Sequence, residues 1–189
     1  DKIRLLLVDD HVVVRVGYRR LLESRADIAI VGEAATAREA QEMTRQFEPD
    51  VVTLDIGLPD LGGIELVRRL IQREPRTRIL VFTMHREPIY ATQALRAGAL
   101  GYVTKSSPPE VLIDAVYRVA AGRQTISPDI APELALALIE RPDKPLAESL
   151  SPREFEILRL LLEGCSAEEI GTRLSISAKT VQNCHYQIK

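Results

Sequence analysis

Residues 3–10, IRLLLVDD, decide the fold, because a short apolar run typical of a buried strand ends there in two carboxylates. Similar runs recur at residues 28–33 (IAIVGE), 51–54 (VVTL), 78–82 (RILVF) and 100–104 (LGYVT). Amphipathic stretches follow each run, at residues 11–24, 36–47, 63–73, 86–97 and 108–121. The alternation predicts an α/β fold, an open doubly wound sheet of five parallel strands with helices on both faces. The binding crevice of such a sheet lies at the carboxyl ends of its strands.

The composition is that of an ordinary globular protein and excludes several classes. The 189 residues include 25 Lys and Arg against 27 Asp and Glu, a formal net charge of -2, and 46% are hydrophobic. These values exclude a disordered tail and a strongly basic nucleic-acid coat protein. No apolar run approaches the ~20 residues of a membrane-spanning helix and no leader pattern opens the chain, which predicts a cytoplasmic protein without a membrane partner. Cys165 and Cys184 indicate neither a disulfide framework nor a zinc site.

The organisation changes after Gly122, where no further strand-like run occurs and prolines 128, 132, 142 and 145 follow. This change predicts a linker over residues 122–146, with one helix between Ile130 and Ile139. The linker separates a first domain, residues 1–121, from a second domain, residues 147–189.

The second domain carries start signals for three short helices. Ser151 with Glu154 and Ser166 with Glu169 form capping-box patterns, and Ser177 is a further N-cap candidate. They predict a small all-α domain whose core contains Leu158, Leu161, Leu162, Ile170, Leu174, Ile176, Val181 and Ile188.

Charged residues follow the ends of the predicted strands in the first domain. Asp9 and Asp10 follow the first strand and Asp55 the third, and the two strands are neighbours in the predicted sheet. Three converging carboxylates repel one another, and a hard divalent cation such as Mg²⁺ keeps them ionised. Thr83 and Lys105 reach the same edge from the fourth and fifth strands. A hydroxyl and an ammonium are the groups needed to hold the oxygens of a transferring phosphoryl group.

The first domain resembles the receiver domain of bacterial two-component response regulators over residues 3 to about 121. The matching motifs are Asp9-Asp10, LDIGLPDLGG around Asp55, VFTMH around Thr83 and GYVTK ending in Lys105. The resemblance implies a flavodoxin-like fold in which Asp55 accepts a phosphoryl group from a sensor histidine kinase.

The same resemblance implies roles for the surrounding residues. Asp10 and Asp55 would bind Mg²⁺ directly, Asp9 through water, and Gly57 through its backbone carbonyl. Lys105 would pair with the phosphoryl group, Thr83 would donate a hydrogen bond to it, and Tyr102 would be the aromatic that turns inward when Thr83 moves. Family members usually carry a larger side chain at the position of Gly57, where side chains influence the hydrolysis of the acyl phosphate. The lifetime of the phosphoryl group is therefore open.

Residues 150–188 resemble the LuxR-type helix-turn-helix. The matching positions are Leu150, Arg153, Glu154, Leu158, Gly164, Glu169, Ile170, Leu174, Ile176, Ser177, Thr180 and Val181. With a receiver in front, the architecture is that of the NarL/FixJ class, and the linker run SPDIAPELALALIE resembles its GacA/UvrY-like members. The class implies that Ala178–Lys189 enters the major groove. Lys179 and Thr180 would meet phosphates, while Gln182, Asn183 and Tyr186 would face the bases.

The charge of the second domain bears on how it binds DNA. Residues 147–189 hold five basic and six acidic residues, a net of -1. Because non-specific DNA affinity comes largely from Lys and Arg, a monomer is expected to bind weakly and dimerisation to matter. The fourth helix that follows the recognition helix in the family is not in the sequence, so the domain has the pattern of a truncated one.

Three functions fit this pattern. The first is a transcriptional regulator that binds promoter DNA as a homodimer when Asp55 is phosphorylated. The second is a phosphoryl sink or protein-interaction regulator whose output domain is not competent to bind DNA. The third, a Mg²⁺-dependent phosphohydrolase, is disfavoured because Gly57 stands where a second acid/base carboxylate would follow Asp55. The chain is therefore predicted not to be an enzyme, although it would assist its own phosphorylation and dephosphorylation at Asp55.

Overall fold

A single parallel sheet organises the first part of the chain. The computed structural model describes residues 2–140, 156–158, 160–161, 165–174 and 176–182. The strands are β1 (Ile3–Val8), β2 (Ile28–Ala34), β3 (Val51–Leu54), β4 (Arg78–Thr83), β5 (Gly101–Thr104) and β6 (Thr125–Ile126). Their order is β2-β1-β3-β4-β5-β6 and every pairing is parallel. The predicted adjacency of the first and third strands is confirmed, since β1 pairs with β3.

The helices follow the predicted positions to within one or two residues. They are α1 (Val12–Glu23), α2 (Ala37–Phe47), α3 (Gly63–Arg73), α4 (Pro88–Arg96), α5 (Pro109–Ala120), α6 (Ala131–Glu140) and α7 (Ala167–Leu174). Local chemistry explains their ends. The Thr36 hydroxyl accepts a hydrogen bond from the Glu39 amide at the start of α2, and prolines open α4 and α5. Gly98 and Gly122, just beyond those two helices, take the positive φ angles that favour glycine.

Two hydrophobic layers hold the helices to the sheet. Helices α1 and α5 cover one face through residues such as Leu22, Leu112 and Val116. Helices α2, α3 and α4 cover the other through residues such as Ala40, Leu66 and Ala94. The inner strands β1, β3, β4 and β5 are mainly buried on both faces, which is why they read as continuous apolar runs rather than as alternating ones.

The first residues of the predicted linker belong to this α/β unit, which the sequence did not indicate. Thr125 and Ile126 form β6 beside β5, so the sheet has a sixth strand after the five predicted ones. Ile130 and Leu134 are buried in the same hydrophobic cluster as α3 and α4, and α6 packs against α4. A strand of two residues is too short to show a period of its own, so the sequence pattern does not reveal β6.

The second domain has its own small core. Residues 156–158, 160–161 and 178–182 are helical, in addition to α7. The buried residues are Ile157, Leu160, Ile170, Leu174 and Val181, so the first helix turns Ile157 and not the predicted Leu158 inward. Leu161 and Ile176 pack at the margin of this core, while Leu162 and Ile188 lie outside the described residues.

The N-caps predicted for the second domain are confirmed where they are described. The Glu169 amide donates to the Ser166 hydroxyl at 3.2 Å and the Ser166 amide donates to the Glu169 carboxylate at 2.7 Å, which is a complete capping box. The Thr180 amide donates to the Ser177 hydroxyl at 3.1 Å. The Ser151–Glu154 pattern lies outside the described residues.

None of the helices in the described part of the chain combines the length and apolarity needed to span a bilayer.

Candidate functional site

The carboxyl edge of the sheet places the predicted pocket residues side by side. The Asp9 amide donates to the Ala34 carbonyl at 3.0 Å and the Asp55 amide to the Val8 carbonyl at 2.9 Å. The Lys105 amide donates to the Thr83 carbonyl at 2.7 Å. Each bond prolongs a ladder between neighbouring strands by one residue. The backbone of the pocket is therefore fixed by the sheet and not by a free loop.

Carboxylates crowd this edge. Asp9 and Asp55 are only 6% and 5% exposed. Asp9, Asp10, His11 and Asp55 each offer a ligand atom, and these atoms all lie within 4.8 Å of one another. Like charges at this separation in a partly dry site repel strongly, so the pocket attracts a cation.

The ammonium of Lys105 brings one positive charge to the cluster. Its Nζ lies 2.5 Å from Asp9 Oδ2 and also contacts Asp55 Oδ2. Burial alone would lower the pKa of Lys105, but Asp55 and Asp9 together raise the pKa above its usual value. The ammonium therefore stays charged, and one positive charge faces three carboxylates.

The loop after β3 is held tightly around Asp55. The Gly57 amide donates to Asp55 Oδ1 at 3.1 Å. A Cβ atom on Gly63 would lie 2.3 Å from the Ile56 Cα, so only glycine lets α3 begin this close to the loop. Asp60 accepts hydrogen bonds from the Ala37 amide at 2.8 Å and the Arg38 amide, which ties the loop to the start of α2. Both oxygens of Asp55 are thus oriented by fixed neighbours.

The donor set fits a hard divalent cation. Asp10 Oδ1 is buried and pairs with His11 Nδ1, 2.8 Å away, and among the described residues it makes no further contact with a donor. His11 occupies the N-cap position of α1, but its side chain makes no capping hydrogen bond. Carboxylate oxygens grouped this closely are the ligands that Mg²⁺ prefers.

Thr83 and Tyr102 meet at the backbone of His85. Thr83 is fully buried, and its hydroxyl accepts a hydrogen bond from the His85 amide at 3.4 Å. The Tyr102 hydroxyl donates to the His85 carbonyl at 3.0 Å from a fully buried ring. Burial raises the pKa of Tyr102 far above its usual value, so the phenol stays neutral. The His85 ring packs on Tyr90 of α4, with the centroids 4.4 Å apart.

Three residues around the pocket were not found from the sequence. His85 acts through its backbone, which no side-chain pattern reveals. The Arg15 guanidinium donates to the Asp9 carbonyl and lies 3.4 Å from Glu33, so it braces the strand end from α1. Asp129 accepts hydrogen bonds from the turn that carries Lys105. Their partners are remote in sequence or belong to the backbone, so the sequence carried no signal for them.

The predicted DNA-contacting residues are described only in part. Lys179, Thr180 and Gln182 lie on the helical residues 178–182 and are exposed. Asn183 and Tyr186 lie outside the described residues. The contacts of all five with DNA stay a prediction.

Comparisons with known proteins agree with these two units. Residues 5–117 match the response regulator receiver domain, and residues 148–189 match the LuxR family of bacterial regulatory proteins. The response regulator UvrY of Escherichia coli is 37% identical over 188 residues, which cover 98% of this chain and 86% of UvrY. The response regulator GacA of Pseudomonas aeruginosa is 36% identical, with 98% and 87% covered.

Solved structures show the same architecture. A LuxR-family two-component response regulator from Aurantimonas is 49% identical over 74% of this chain and 99% of its own, with a TM-score of 0.71. RcsB from Salmonella enterica, bound to a promoter in the presence of the phosphomimetic BeF3-, is 26% identical over 100% of this chain and 91% of its own, with a TM-score of 0.77. Receiver domains generally bind Mg²⁺ at an acidic pocket, and Asp9, Asp10 and Asp55 form a cluster of acidic residues at the carboxyl edge of this sheet. The chain therefore belongs to the response regulators that join a receiver domain to a LuxR-type DNA-binding domain, a family of transcription regulators rather than of enzymes.

Proposed function

We propose that Asp55 accepts a phosphoryl group from a sensor histidine kinase, and that this modification controls dimerisation and promoter binding by the C-terminal domain. The observation that carries the proposal is the contact of Lys105 with both Asp55 and Asp9 at the carboxyl edge of the sheet. A carboxylate nucleophile, an adjacent ammonium and further carboxylates are the groups that phosphoryl transfer to an aspartate requires.

Asp55 is the best placed acceptor of the three carboxylates. It follows β3, which lies between β1 and β4, so Asp9 and Asp10 flank it on one side and Thr83 on the other. Its Oδ1 accepts the Gly57 amide and its Oδ2 contacts Lys105. A nucleophile held in one orientation loses less entropy on reaching the transition state.

Asp10 and Asp55 are the proposed direct ligands of Mg²⁺, with the Gly57 carbonyl as a further ligand and Asp9 acting through water. When bound, Mg²⁺ neutralises negative charge on the transferring phosphoryl group. The closeness of the Asp10 and Asp55 ligand atoms, which lie within 4.8 Å of each other, supports this assignment, because carboxylates that close together repel one another unless a cation lies between them.

In the transfer, an Asp55 oxygen attacks phosphorus and the bond from phosphorus to the kinase histidine nitrogen breaks. An acyl phosphate then stands on Asp55, and Lys105 pairs with a phosphoryl oxygen while Asp9 remains its second partner. The Thr83 hydroxyl leaves the His85 amide and donates to another phosphoryl oxygen. The Tyr102 hydroxyl holds the His85 carbonyl, so this movement reaches α4 through the contact of His85 with Tyr90. The chain assists its own phosphorylation and dephosphorylation by the same groups.

The output step uses the exposed start of the last helix. Lys179 and Thr180 contact phosphates, and Gln182, Asn183 and Tyr186 read base edges in the major groove of double-stranded promoter DNA. Because residues 147–189 carry a net charge of -1, a monomer binds weakly and a phosphorylation-dependent homodimer supplies the affinity. A role in promoter binding implies that the protein acts in the cytoplasm, where promoter DNA lies.

Phosphodonor labelling tests the acceptor assignment. The parent protein, Asp55→Asn and the control Asp114→Asn are incubated with acetyl phosphate and Mg²⁺, and their intact masses are measured. Asp114 is an exposed α5 residue paired with Arg118, so its loss leaves the pocket intact. The parent and Asp114→Asn are expected to gain one phosphoryl group and Asp55→Asn none. Labelling of Asp55→Asn equal to the parent would show that another residue is the acceptor.

A second candidate function is a phosphoryl sink or protein-interaction regulator whose output domain does not bind DNA, and the net negative charge of residues 147–189 favours it. Footprinting of the phosphorylated full chain on genomic promoter fragments separates the two functions. Protected half-sites that disappear in Lys179→Ala and Gln182→Ala support the regulator. Absence of any protection at low salt supports the sink.

A further inference from the structure

A group of hydroxyls surrounds Asp129, outside the phosphoryl pocket but next to it. Asp129 Oδ2 accepts hydrogen bonds from the Thr104 hydroxyl at 2.5 Å and the Ser106 hydroxyl at 3.3 Å. Asp129 Oδ1 accepts one from the Ser107 hydroxyl at 2.9 Å. All three donors lie in residues 104–107, the turn that also carries Lys105. We call this set of bonds the Asp129 clamp.

The clamp joins this turn to the segment that leads towards the second domain. Asp129 directly precedes Ile130 and α6, and Ile130 is fully buried in the receiver core. Ser127 adds a second tie, because its amide donates to the Tyr102 carbonyl at 2.9 Å and its hydroxyl accepts the Thr104 amide at 3.3 Å. The segment that precedes α6 is thus hydrogen-bonded to both the backbone and the side chain of Thr104.

The Asp129 carboxyl group at the centre of the clamp is ionised at neutral pH. Burial alone would raise the pKa of Asp129, but hydrogen bonds from the Ser127, Thr104 and Ser107 hydroxyls lower its pKa to about 2. Hydrogen bonds to an ionised acceptor are shorter and stronger than those between neutral groups. Thr104 and Ser127 are fully buried, so water does not replace these bonds readily.

The position of Thr104 makes the clamp more than a local turn. Lys105, its next residue, contacts the acceptor Asp55, and the Lys105 amide is bonded to the Thr83 carbonyl. When Lys105 moves from the Asp55 carboxylate to a phosphoryl oxygen, the forces on the turn of residues 104–107 change, although its backbone stays bonded to β4. Asp129 is bonded to this turn through the buried Thr104 hydroxyl, one residue from Lys105.

We propose that Asp129 is a positioning residue that couples the Lys105 turn to α6, so that the state of Asp55 reaches the linker directly through Thr104 as well as through Tyr102. This inference rests on the proposed phosphorylation of Asp55. By linkage, a partner that holds α6 in one position also changes the affinity of the pocket for a phosphoryl group.

Hydrogen exchange of α6 measures this coupling in the full chain. BeF3- with Mg²⁺ is the phosphoryl stand-in, and exchange of the amides of residues 131–140 is followed with and without it. The parent is expected to show a change in α6 exchange. In Asp129→Asn and Thr104→Val the effect of BeF3- on the α6 exchange rates is expected to be about tenfold smaller, a factor within the usual range for coupling between two sites. Thr104→Ser keeps the hydroxyl and is expected to keep the change, and Asp114→Asn serves as the distant control.

The outcomes separate this inference from the proposed function. Equal α6 changes in the parent, Asp129→Asn and Thr104→Val would overturn the coupling role, as would a parent that binds BeF3- without any change in α6. A parent that does not bind BeF3- at all would instead overturn the role of Asp55. If Asp129→Asn fails to fold, the Thr104→Val and Thr104→Ser pair decides, because valine keeps the shape of threonine and replaces only its hydroxyl with a methyl group.

Discussion

The ammonium of Lys105 lies 2.5 Å from Asp9 Oδ2 and at the same time contacts Asp55 Oδ2. The lysine side chain is only 5% exposed, so both contacts are shielded from bulk water. Lys105 therefore holds the unmodified pocket together, although its partner after phosphorylation would be the phosphoryl group. The Lys105 ammonium must therefore stabilise the pocket both when Asp55 is a free carboxylate and when it carries a phosphoryl group.

Lys105→Met is expected to destabilise the protein by about 3 kcal/mol in the absence of Mg²⁺, since it leaves buried carboxylates without their partner. The variant is also expected to bind Mg²⁺ more tightly than the parent, because no ammonium competes for the carboxylates. Urea unfolding followed by circular dichroism at several Mg²⁺ concentrations measures both effects. Equal Mg²⁺ affinity in the two proteins would show that Lys105 does not compete with the metal.

Gly57 is expected to limit the lifetime of the acyl phosphate. A Cβ at this position would lie 3.7 Å from Asp55 Oδ1 and meet no closer atom, so a larger side chain can stand beside the acceptor. Gly57→Met is expected to slow hydrolysis several-fold by screening the phosphoryl group from water, while Gly57→Ala changes it less. The decay of the phosphorylated mass with time gives the rates. Faster decay in Gly57→Met would contradict the screening argument.

Tyr102 is expected to matter for transmission more than for chemistry. Tyr102→Phe removes the hydrogen bond to the His85 carbonyl and is expected to lower the free energy of unfolding by about 1 kcal/mol. Tyr102→Ala is expected to keep acetyl phosphate labelling but to weaken phosphorylation-dependent dimerisation, measured by sedimentation. Unchanged dimerisation in Tyr102→Ala removes the ring from the mechanism.

The clamp predicts a pH dependence of stability with a definite sign. The pKa of Asp129 is lowered from 3.8 to about 2, so its ionised form favours the folded state. The stabilisation is therefore complete above the unfolded pKa and is lost as the pH falls from about 4 to about 2. Thermal unfolding of the parent and Asp129→Asn from pH 2 to 7 tests this. Their difference in Tm is expected to be constant above pH 5 and to shrink in that acid window, and a constant difference throughout would rule out the assignment.

The orientation of the first helix in the second domain can be tested by a matched pair of substitutions. Ile157 is fully buried and Leu158 only half-buried. Ile157→Ala is expected to cost about 3 kcal/mol and Leu158→Ala clearly less. Urea unfolding by circular dichroism compares the two. The reverse order would return Leu158 to the core.

The first five strands and the pocket were predictable because each of these strands is a short, mainly apolar run. The bounds of β1 and β3 agree with the sequence to the residue, and Asp9, Asp10, Asp55 and Lys105 follow directly from strand ends. The buried face of the first helix in the second domain was harder to predict. Its run of leucines fits more than one helical face, and only packing against the other helices selects Ile157.

The remaining features depend on contacts between distant residues. Asp129 lies 25 residues from Thr104, and no local pattern shows that a turn of hydroxyls will surround it. The Tyr102 hydroxyl likewise finds a carbonyl 17 residues away. Such contacts follow from the tertiary fold, and so a single sequence does not reveal them.

The pairing of β6 with β5 has a consequence for dissecting the protein. Without β6, the Leu100 and Tyr102 carbonyls, which accept the Thr125 and Ser127 amides, would lie on a bare outer strand. Removal of Ile130 and Leu134 would open an apolar hollow beside it. An outer strand with unpaired polar groups next to exposed apolar surface recruits other chains. A receiver fragment cut at residue 121 is therefore expected to aggregate, whereas one that runs to residue 140 keeps its edge sealed.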